Sequence, residues 1–302
     1  MSNTEGTIPF SIPSVQEQCF TWYRTIGDIN KIPPLILIHG GPGTGSDYHL
    51  HLAEPLEAAG IPCIFYDQVG CGRSSLIREK AEDESFWGFD LFCAELDNLV
   101  DHFELRKVGF SIYGHSWGGM LASIYAGQKP AGLHKLVIAN SIPSAALSAK
   151  ESERLFRLLP VDDAIIQMDA DGDYDNPAYL EAGYRFMKKH FCILEPWPAV
   201  LAGIRASRES STTMWKTNGK KGISLIRQPG FMHDYDAIKT AGSIEVPALL
   251  LTGRYDKNNE AIMSPWFKSI PRVKWAVLEK SSHMAALEEP ARYAGLLTDF
   301  LL

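Results

Sequence analysis

Short, mostly apolar runs recur along the chain and are separated by longer segments of mixed polarity. Such runs are typical of strands that are buried on both faces of a parallel sheet. They cover residues 35–38, 61–66, 108–113, 136–139, 246–253 and 273–278. Two earlier stretches, 7–12 and 19–26, are rich in aromatic and β-branched residues and flank a turn, so they predict a leading hairpin. Together these runs predict an α/β protein with a mostly parallel sheet.

Helical spacing of apolar residues fills several of the intervals between these runs. Residues 86–105 carry apolar side chains three and four positions apart, which predicts a helix leading to the strand at 108–113. The carboxylates of this helix are expected on its solvated face. The last segment, 290–302, has the same spacing and is expected to close the fold.

The alternation of strand and helix stops between residues 143 and 242. This stretch has helical patterning, several prolines and the tryptophans Trp197 and Trp215. A long insertion of this kind predicts a helical cap over the carboxyl edge of the sheet. The expected domains are therefore a core of residues 1–142 and 243–302 and an inserted cap of residues 143–242.

Composition and charge exclude several classes of protein. Hydrophobic residues make up 45% and charged residues 22% of the 302 residues, as in ordinary globular proteins. The formal net charge of −7 argues against a nucleic-acid partner, because such proteins carry basic patches. No apolar run approaches the roughly 20 residues of a membrane span and no signal-peptide pattern is present, so a cytoplasmic protein is expected. The five scattered cysteines lack zinc-site spacing and are expected to be reduced core thiols.

The stretch from Gly114 to Gly119 contains the pattern Gly-x-Ser-x-Gly between a predicted strand and a predicted helix. Such a turn is a nucleophile elbow, in which the glycines let the backbone fold tightly and the serine oxygen projects at the carboxyl edge of the sheet. Ser116 is therefore the candidate nucleophile. Residues 39–43, which read His-Gly-Gly-Pro-Gly, follow another strand, and their backbone N–H groups can approach a substrate oxygen closely.

A serine hydroxyl needs a base to remove its proton and an acid to orient that base. In this fold the groups follow the order Ser, Asp or Glu, His, each on a loop after a strand. Asp256 follows the run at 246–253 and His283 follows the run at 273–278, so Ser116, Asp256 and His283 are the predicted catalytic triad. The histidines outside these motifs are expected on the surface or in the cap: His49, His51, His102, His134, His190 and His233.

The motifs resemble those of the proline iminopeptidase family of α/β-hydrolases. That family has a His-Gly-Gly-Pro-Gly loop, an Asp-Gln-x-Gly-x-Gly-x-Ser loop and a Gly-x-Ser-Trp-Gly-Gly turn in this order, and this chain has them at 39–43, 67–74 and 114–119. The resemblance implies an α/β-hydrolase fold and a serine peptidase mechanism. It also implies that Asp67 and Arg73 brace their loop. A triad mechanism requires no metal or organic cofactor, so none is expected.

Two backbone N–H groups are expected to hold the oxyanion of the tetrahedral intermediate. One belongs to Trp117, because the residue after the nucleophile supplies a donor in this fold. The resemblance implies that Gly41 supplies the other, with Gly40 as the alternative. The side chain of Trp117 can then line the pocket or pack in the core.

The chain departs from the family at positions that are thought to hold the amino end of a substrate. Relatives carry acidic side chains there, one often directly after the triad Asp, whereas this chain has Lys257. Another departure is in the cap, where Lys220 and Lys221 occupy a segment in which relatives can carry a glutamate. Lysines at such sites would repel a cationic group, which leaves the peptidase specificity open. The candidate substrate-binding residues are Gly40, Trp197, Trp215 and Lys257.

Three functional hypotheses follow from these observations. The first is a proline iminopeptidase type of serine hydrolase that releases an N-terminal residue or cleaves an amino-acid amide through an acyl-enzyme. The second is an esterase, thioesterase or lactonase that uses the same triad on a bulky apolar metabolite. The third is a non-catalytic relative that binds a ligand. In the first two cases the expected partner is a small molecule or a short peptide.

Overall fold

A computed structural model describes residues 3–159, 163–212 and 224–302. Its centre is a single eight-stranded sheet in the order β1-β2-β4-β3-β5-β6-β7-β8. The first two strands form the predicted hairpin, β2 pairs antiparallel with β4, and the remaining neighbours are parallel. The strands are β1 (Asn3–Phe10), β2 (Cys19–Ile26), β3 (Leu35–Ile38), β4 (Cys63–Asp67), β5 (Phe110–His115), β6 (Leu133–Ala139), β7 (Ala248–Gly253) and β8 (Val273–Leu278).

The apolar runs form these strands because both faces of the sheet are covered. Successive side chains of a strand point to opposite faces. In β3, Ile36 and Ile38 pack into the apolar cluster on one face, whereas Leu35 and Leu37 pack into the cluster on the other. All four side chains are buried, which explains why the run contains no polar residue.

Helices lie on both sides of the sheet and continue beyond its edge. None of the described helices is both long and apolar enough to cross a membrane. The helices are α1 (Ala53–Ala58), α2 (Phe89–His102), α3 (Leu105–Val108), α4 (Trp117–Gly127), α5 (Ala145–Arg157), α6 (Asp163–Asp171), α7 (Pro177–His190), α8 (Val200–Ser210), α9 (Glu260–Ser269), α10 (Ala285–Glu288) and α11 (Pro290–Leu301).

The helix predicted over 86–105 is shorter than its apolar spacing suggests, since α2 ends at His102 and α3 follows as a separate turn. The expectation that its carboxylates are solvated is wrong for Glu95. This side chain is fully buried, and its Oε1 accepts hydrogen bonds from Thr21 Oγ1 (2.6 Å) and Val69 N (2.9 Å). Burial raises the pKa of Glu95 to about 8.

The chain between β6 and β7 forms α5 to α8, and we call residues 143–242 the helical segment. Helices α5, α6 and α7 share an apolar cluster of their own, in which the rings of Phe156 and Phe186 stack at 4.3 Å. Helix α8 packs in a separate cluster with Cys192 and Met284. Helix α7 begins where the sequence changes to Asn-Pro, because the Asn176 side chain accepts a hydrogen bond from Ala178 N (3.0 Å). The segment joins the sheet at its carboxyl edge, beside the loops that follow β3, β5, β7 and β8.

Candidate active site

The turn between β5 and α4 holds Ser116 in a conformation that non-glycine residues rarely adopt. Its φ is 55° and its ψ is −119°, and its N–H donates to Ala139 O (2.9 Å). The glycines around it are required by close backbone contacts. A Cβ at Gly114 would lie 2.2 Å from Gly118 O, and a Cβ at Gly118 would lie 2.2 Å from Ile38 O. Ser116 is thus presented on a strained, tightly packed turn at the start of α4, as the elbow pattern predicts.

The loops after β7 and β8 bring together the predicted acid and base. His283 Nδ1 lies 3.0 Å from Asp256 Oδ1 and 3.1 Å from Oδ2, and both side chains are buried. An ionised carboxylate only accepts hydrogen bonds, so Nδ1 carries a proton, and Nε2 is the nitrogen with the lone pair whenever the ring is neutral. The arrangement gives His283 the tautomer that a general base requires.

Two asparagines that the sequence did not single out hold Asp256 in place. Asn140 Nδ2 donates to Asp256 Oδ2 (2.8 Å), and Asn258 N donates to Oδ1 (2.9 Å). Burial raises the pKa of Asp256, but the neighbouring His283 and these hydrogen bonds outweigh burial and hold that pKa below its usual value. Asn140 has a φ of 50°, a conformation that Asn tolerates better than most residues. The Asn directly after the predicted strand at 136–139 is a feature of the sequence that could have indicated this role.

A chain of hydrogen bonds links the loop after β3 to the loop of His283. Gly40 N donates to Tyr48 Oη (2.7 Å), Tyr48 Oη lies 2.8 Å from His115 Nδ1, and His115 Nε2 lies 3.0 Å from the carbonyl oxygen of His283. The carbonyl can only accept, so Nε2 donates to it and Nδ1 accepts from Tyr48. Burial and the nearby His283 lower the pKa of His115 to about 3, which keeps its ring neutral. The direction of every bond in the chain is thereby fixed.

Under this chain lies His49, which the sequence analysis assigned wrongly to the surface or the cap. Its ring is buried, with its centroid 3.9 Å from that of Tyr48 and 5.6 Å from that of His115. Burial lowers its pKa well below the usual value, so it is an uncharged aromatic core residue. Its position in a turn rich in polar residues gave no indication of burial.

The loop after β4 is braced as predicted. Asp67 accepts hydrogen bonds from Ser46 N (2.8 Å), Ser46 Oγ (2.7 Å) and Arg73 Nε (2.8 Å). The guanidinium carbon of Arg73 lies 3.4 Å from the ring centroid of Trp22. Asp67 and Arg73 therefore fix the loop that lies beside residues 39–43, which are predicted to hold the oxyanion and which we call the oxyanion loop.

Ser116 and His283 line one cavity of about 150 Å³. Its wall on the sheet side also includes Gly40, Gly41 and Trp117, and Trp117 Nε1 donates to Gln68 Oε1 (2.9 Å). The helical segment supplies mostly apolar side chains, namely Phe186, Met187, Phe191, Ile204, Leu225 and Met232. Lys257 and Arg227 line the cavity too, whereas no Asp or Glu does so among the residues that the structure describes.

The described part of the chain contains no group of three or more His, Cys, Asp or Glu side chains that could hold a metal ion. All five cysteines are buried and unpaired with one another, as expected for core residues.

A sequence profile described as the alpha/beta hydrolase fold matches residues 33–290. A proline iminopeptidase of Lactobacillus helveticus is 32% identical over 306 residues, which cover 100% of this chain and 98% of that protein. The chain belongs to the proline iminopeptidase family of α/β-hydrolases. The predicted family and fold are thus confirmed.

Two solved structures superpose over nearly the whole chain. The crystal structure of VinJ has a TM-score of 0.88 and 36% sequence identity, and it covers 99% of this chain and 98% of its own. A proline iminopeptidase of Mycobacterium smegmatis has a TM-score of 0.86 and 28% identity, with 99% and 97% coverage. The fold of this chain is therefore that of both solved structures over nearly its whole length.

The candidate substrate-binding residues of this family member fall into three groups. Gly40 and Lys257 line the cavity. Trp197 is absent from the described lining residues, and its Nε1 donates to Cys192 O (2.9 Å) while its ring lies 6.0 Å from that of Phe191. In this structure Trp197 packs against the wall residue Phe191, and its role in substrate binding stays a prediction. Trp215, Lys220 and Lys221 lie outside the described residues.

Proposed function

We propose that this protein is a serine hydrolase that removes an N-terminal residue or cleaves an amino-acid amide through an acyl-enzyme. One observation carries the proposal. Ser116, on its strained turn, lines the same cavity as His283, whose Nδ1 is held 3.0 Å from the buried carboxylate of Asp256. The proline iminopeptidases at 32% and 34% identity support the choice of an amino-acid amide as substrate.

In the proposed mechanism, His283 Nε2 takes the proton of Ser116 Oγ as this oxygen attacks the substrate carbonyl. Asp256 stabilises the imidazolium that forms. His283 then gives the proton to the leaving group, and a water activated by the same base hydrolyses the acyl-enzyme. Ser116 is released with its proton restored.

The oxyanion in this mechanism is held by the backbone N–H groups of Trp117 and Gly41. Trp117 is the first residue of α4, where N–H groups point out of the helix toward a developing negative charge. The hydrogen bond from Gly40 N to Tyr48 Oη favours Gly41 over Gly40, since that N–H already has an acceptor.

We further propose that residues 143–242 act as a cap over a core of residues 1–142 and 243–302. Two contacts support this assignment. Met284 N donates to Phe191 O (3.0 Å), and the Phe191 ring lies 5.6 Å from the ring of His283. The segment thus closes over the proposed base with apolar side chains and shields it from water.

A second candidate function is the hydrolysis of an ester, thioester or lactone of an apolar metabolite. The charge of the cavity favours it. An ammonium group is best held by carboxylates, yet the described lining residues include Lys257 and Arg227 and no acid. Arg227 Nε lies 3.8 Å from the buried Asp169, which partly offsets its charge.

Paired chromogenic substrates distinguish the candidates. We expect 4-nitroanilides of proline and alanine to be cleaved by the wild type and not by Ser116→Ala. Cleavage of 4-nitrophenyl acyl esters alone would favour the second candidate. If neither class turned over, the remaining hypothesis of a non-catalytic relative that binds a ligand would replace both.

A further inference from the structure

His190, the last residue of α7, lines the cavity but has no part in the mechanism above. Its side chain is buried, and its Nδ1 lies 2.7 Å from the carbonyl oxygen of Tyr255. Because a carbonyl oxygen only accepts, Nδ1 must carry a proton. One ring nitrogen of His190 is thus committed to the loop that carries Asp256.

The other ring nitrogen has no partner. Burial lowers the pKa of His190, although the bond to Tyr255 opposes this effect, so the ring is neutral near pH 7. Nε2 therefore presents a lone pair. It is buried and has no hydrogen-bond partner in residues 3–159, 163–212 and 224–302. A buried acceptor without a donor is costly, and in native proteins such groups call for an explanation.

The surroundings of His190 are those of a binding wall. The ring of Phe186 lies 4.8 Å from that of His190, and the next residue, Phe191, has its ring 5.6 Å from that of His283. His190 is thus a hydrogen-bond acceptor among aromatic side chains, and it directly precedes Phe191, which contacts His283. A ligand that reaches His283 along this wall passes close to it.

We propose that His190 Nε2 binds the substrate by accepting a hydrogen bond from a neutral hydroxyl or N–H group near the scissile carbonyl. This inference rests on the proposed function, because it takes the cavity of Ser116 as the substrate site. The neutral donor follows from the lining charges, since Lys257 and Arg227 line the cavity and no described carboxylate does. Under the second candidate function, the substrate class is a polar but uncharged acyl compound.

Matched substrates test the role of His190 in turnover. We compare 4-nitrophenyl butanoate with its 2-hydroxy and 3-hydroxy derivatives, and the corresponding 4-nitroanilides. One hydroxyl position should raise kcat/KM of the wild type about 10-fold, as expected for one hydrogen bond to a buried acceptor. In His190→Phe the ratio of kcat/KM for the preferred hydroxylated substrate to kcat/KM for the plain butanoate should fall to about 1, whatever the overall activity of the variant. His190→Gln, which retains an acceptor and a donor, should restore part of it.

The exposed His233 provides the matched control, since His233→Phe changes a histidine of the same segment that does not line the cavity among the described residues. This variant should keep the wild-type preference. A preference that persists in His190→Phe, or the lack of any preferred hydroxyl position in the wild type, would overturn the inference.

A binding measurement separates this inference from the proposed mechanism. The ¹⁵N signal of His190 Nε2 is followed in Ser116→Ala protein as 3-hydroxybutanamide, 2-hydroxybutanamide or butanamide is added. A shift with a hydroxylated amide and none with butanamide supports the inference even if the protein turns over no substrate. Equal responses to all three amides contradict it even if Ser116 is the nucleophile.

Discussion

The loops at the carboxyl edge of the sheet and the helical segment above them are built in different ways. Backbone contacts and hydrogen bonds lock the loops, as at Gly118 against Ile38 O and at Asp256 under Asn140. The helical segment is held by its own apolar cluster and by exposed ion pairs such as Arg185 with Glu181. In the proposed mechanism the reacting groups lie at this hydrogen-bonded edge, and we expect selectivity to depend on the side chains that the helical segment contributes to the cavity.

Glycine substitutions are expected to give the largest difference in the free energy of unfolding between the loops at the carboxyl edge and the helical segment. Gly118→Ala would bring a Cβ within 2.2 Å of Ile38 O and 2.8 Å of His39 O, both of which are backbone atoms. Neither atom can move without shifting β3, so we expect a loss of about 3 kcal/mol or more in the free energy of unfolding. Chemical denaturation monitored by circular dichroism measures it.

The matched control lies in the helical segment. Gly203 is exposed in α8, and a Cβ there would meet nothing within 4 Å. Gly203→Ala should therefore raise the free energy of unfolding by roughly 0.5 to 1 kcal/mol, because alanine favours the helix. If both variants lost the same free energy of unfolding, the loops at the carboxyl edge and the helical segment would not differ in how they accommodate a side chain.

These contacts also explain which parts of the site could be predicted from the sequence. The strands were predictable because short apolar runs such as Leu35–Ile38 are typical of strands that are buried on both faces of a parallel sheet. The elbow was predictable because its geometry excludes side chains at Gly114 and Gly118. In both cases a local steric requirement restricts which residue types can occupy the positions, so the residue types indicate the structure.

An intermediate effect is expected from the hydrogen-bond chain below the oxyanion loop. Tyr48→Phe removes the hydroxyl that joins Gly40 N to His115 Nδ1 and leaves both groups unpaired. The oxyanion loop and the backbone of His283 would then lose their common support. We expect kcat to fall about 10-fold with little change in KM, because the loss affects positioning of the reacting groups rather than ground-state binding.

Tyr184→Phe is the control for this effect. Tyr184 is 53% exposed on α7 in the helical segment, so the loss of its hydroxyl should leave kcat unchanged. Steady-state kinetics on the best substrate of the wild type measures both variants. An unchanged kcat in Tyr48→Phe would mean that the hydrogen bonds of Tyr48 do not help to position the reacting groups.

The smallest effect concerns the pH dependence of stability. The pKa of Glu95 is about 8 in the folded protein and about 4.5 in the unfolded chain. Between these values the folded state binds one more proton than the unfolded state, so stability falls as pH rises through this window and levels off above pH 8. Relative to Glu95→Gln, the wild type should lose about 1 kcal/mol between pH 6 and pH 7.

The exposed Glu181 in the helical segment gives the comparison. Glu181→Gln should leave the slope of stability against pH between 6 and 7 as in the wild type. Urea denaturation at the two pH values measures all three proteins. If Glu95→Gln kept the wild-type slope as well, the carboxyl group would be ionised in the fold.

The residues that sequence reasoning missed share one physical property: they depend on contacts between distant parts of the chain. Glu95 satisfies the helical spacing of a solvated position, yet β2 and the loop after β4 cover it. His115 meets Tyr48, which lies 67 residues earlier, and the two together support His283. Periodicity describes one element at a time, so these partnerships required the packed fold.

The central claim is that Ser116 is the nucleophile and that His283 activates it. Labelling with a fluorophosphonate, followed by intact-protein mass spectrometry and peptide mapping, tests it directly. The account predicts one adduct, on Ser116, that is absent in Ser116→Ala, unchanged in the exposed control Ser85→Ala and about 1,000-fold slower in His283→Ala. Labelling of Ser116→Ala, or of His283→Ala at the wild-type rate, would contradict the account.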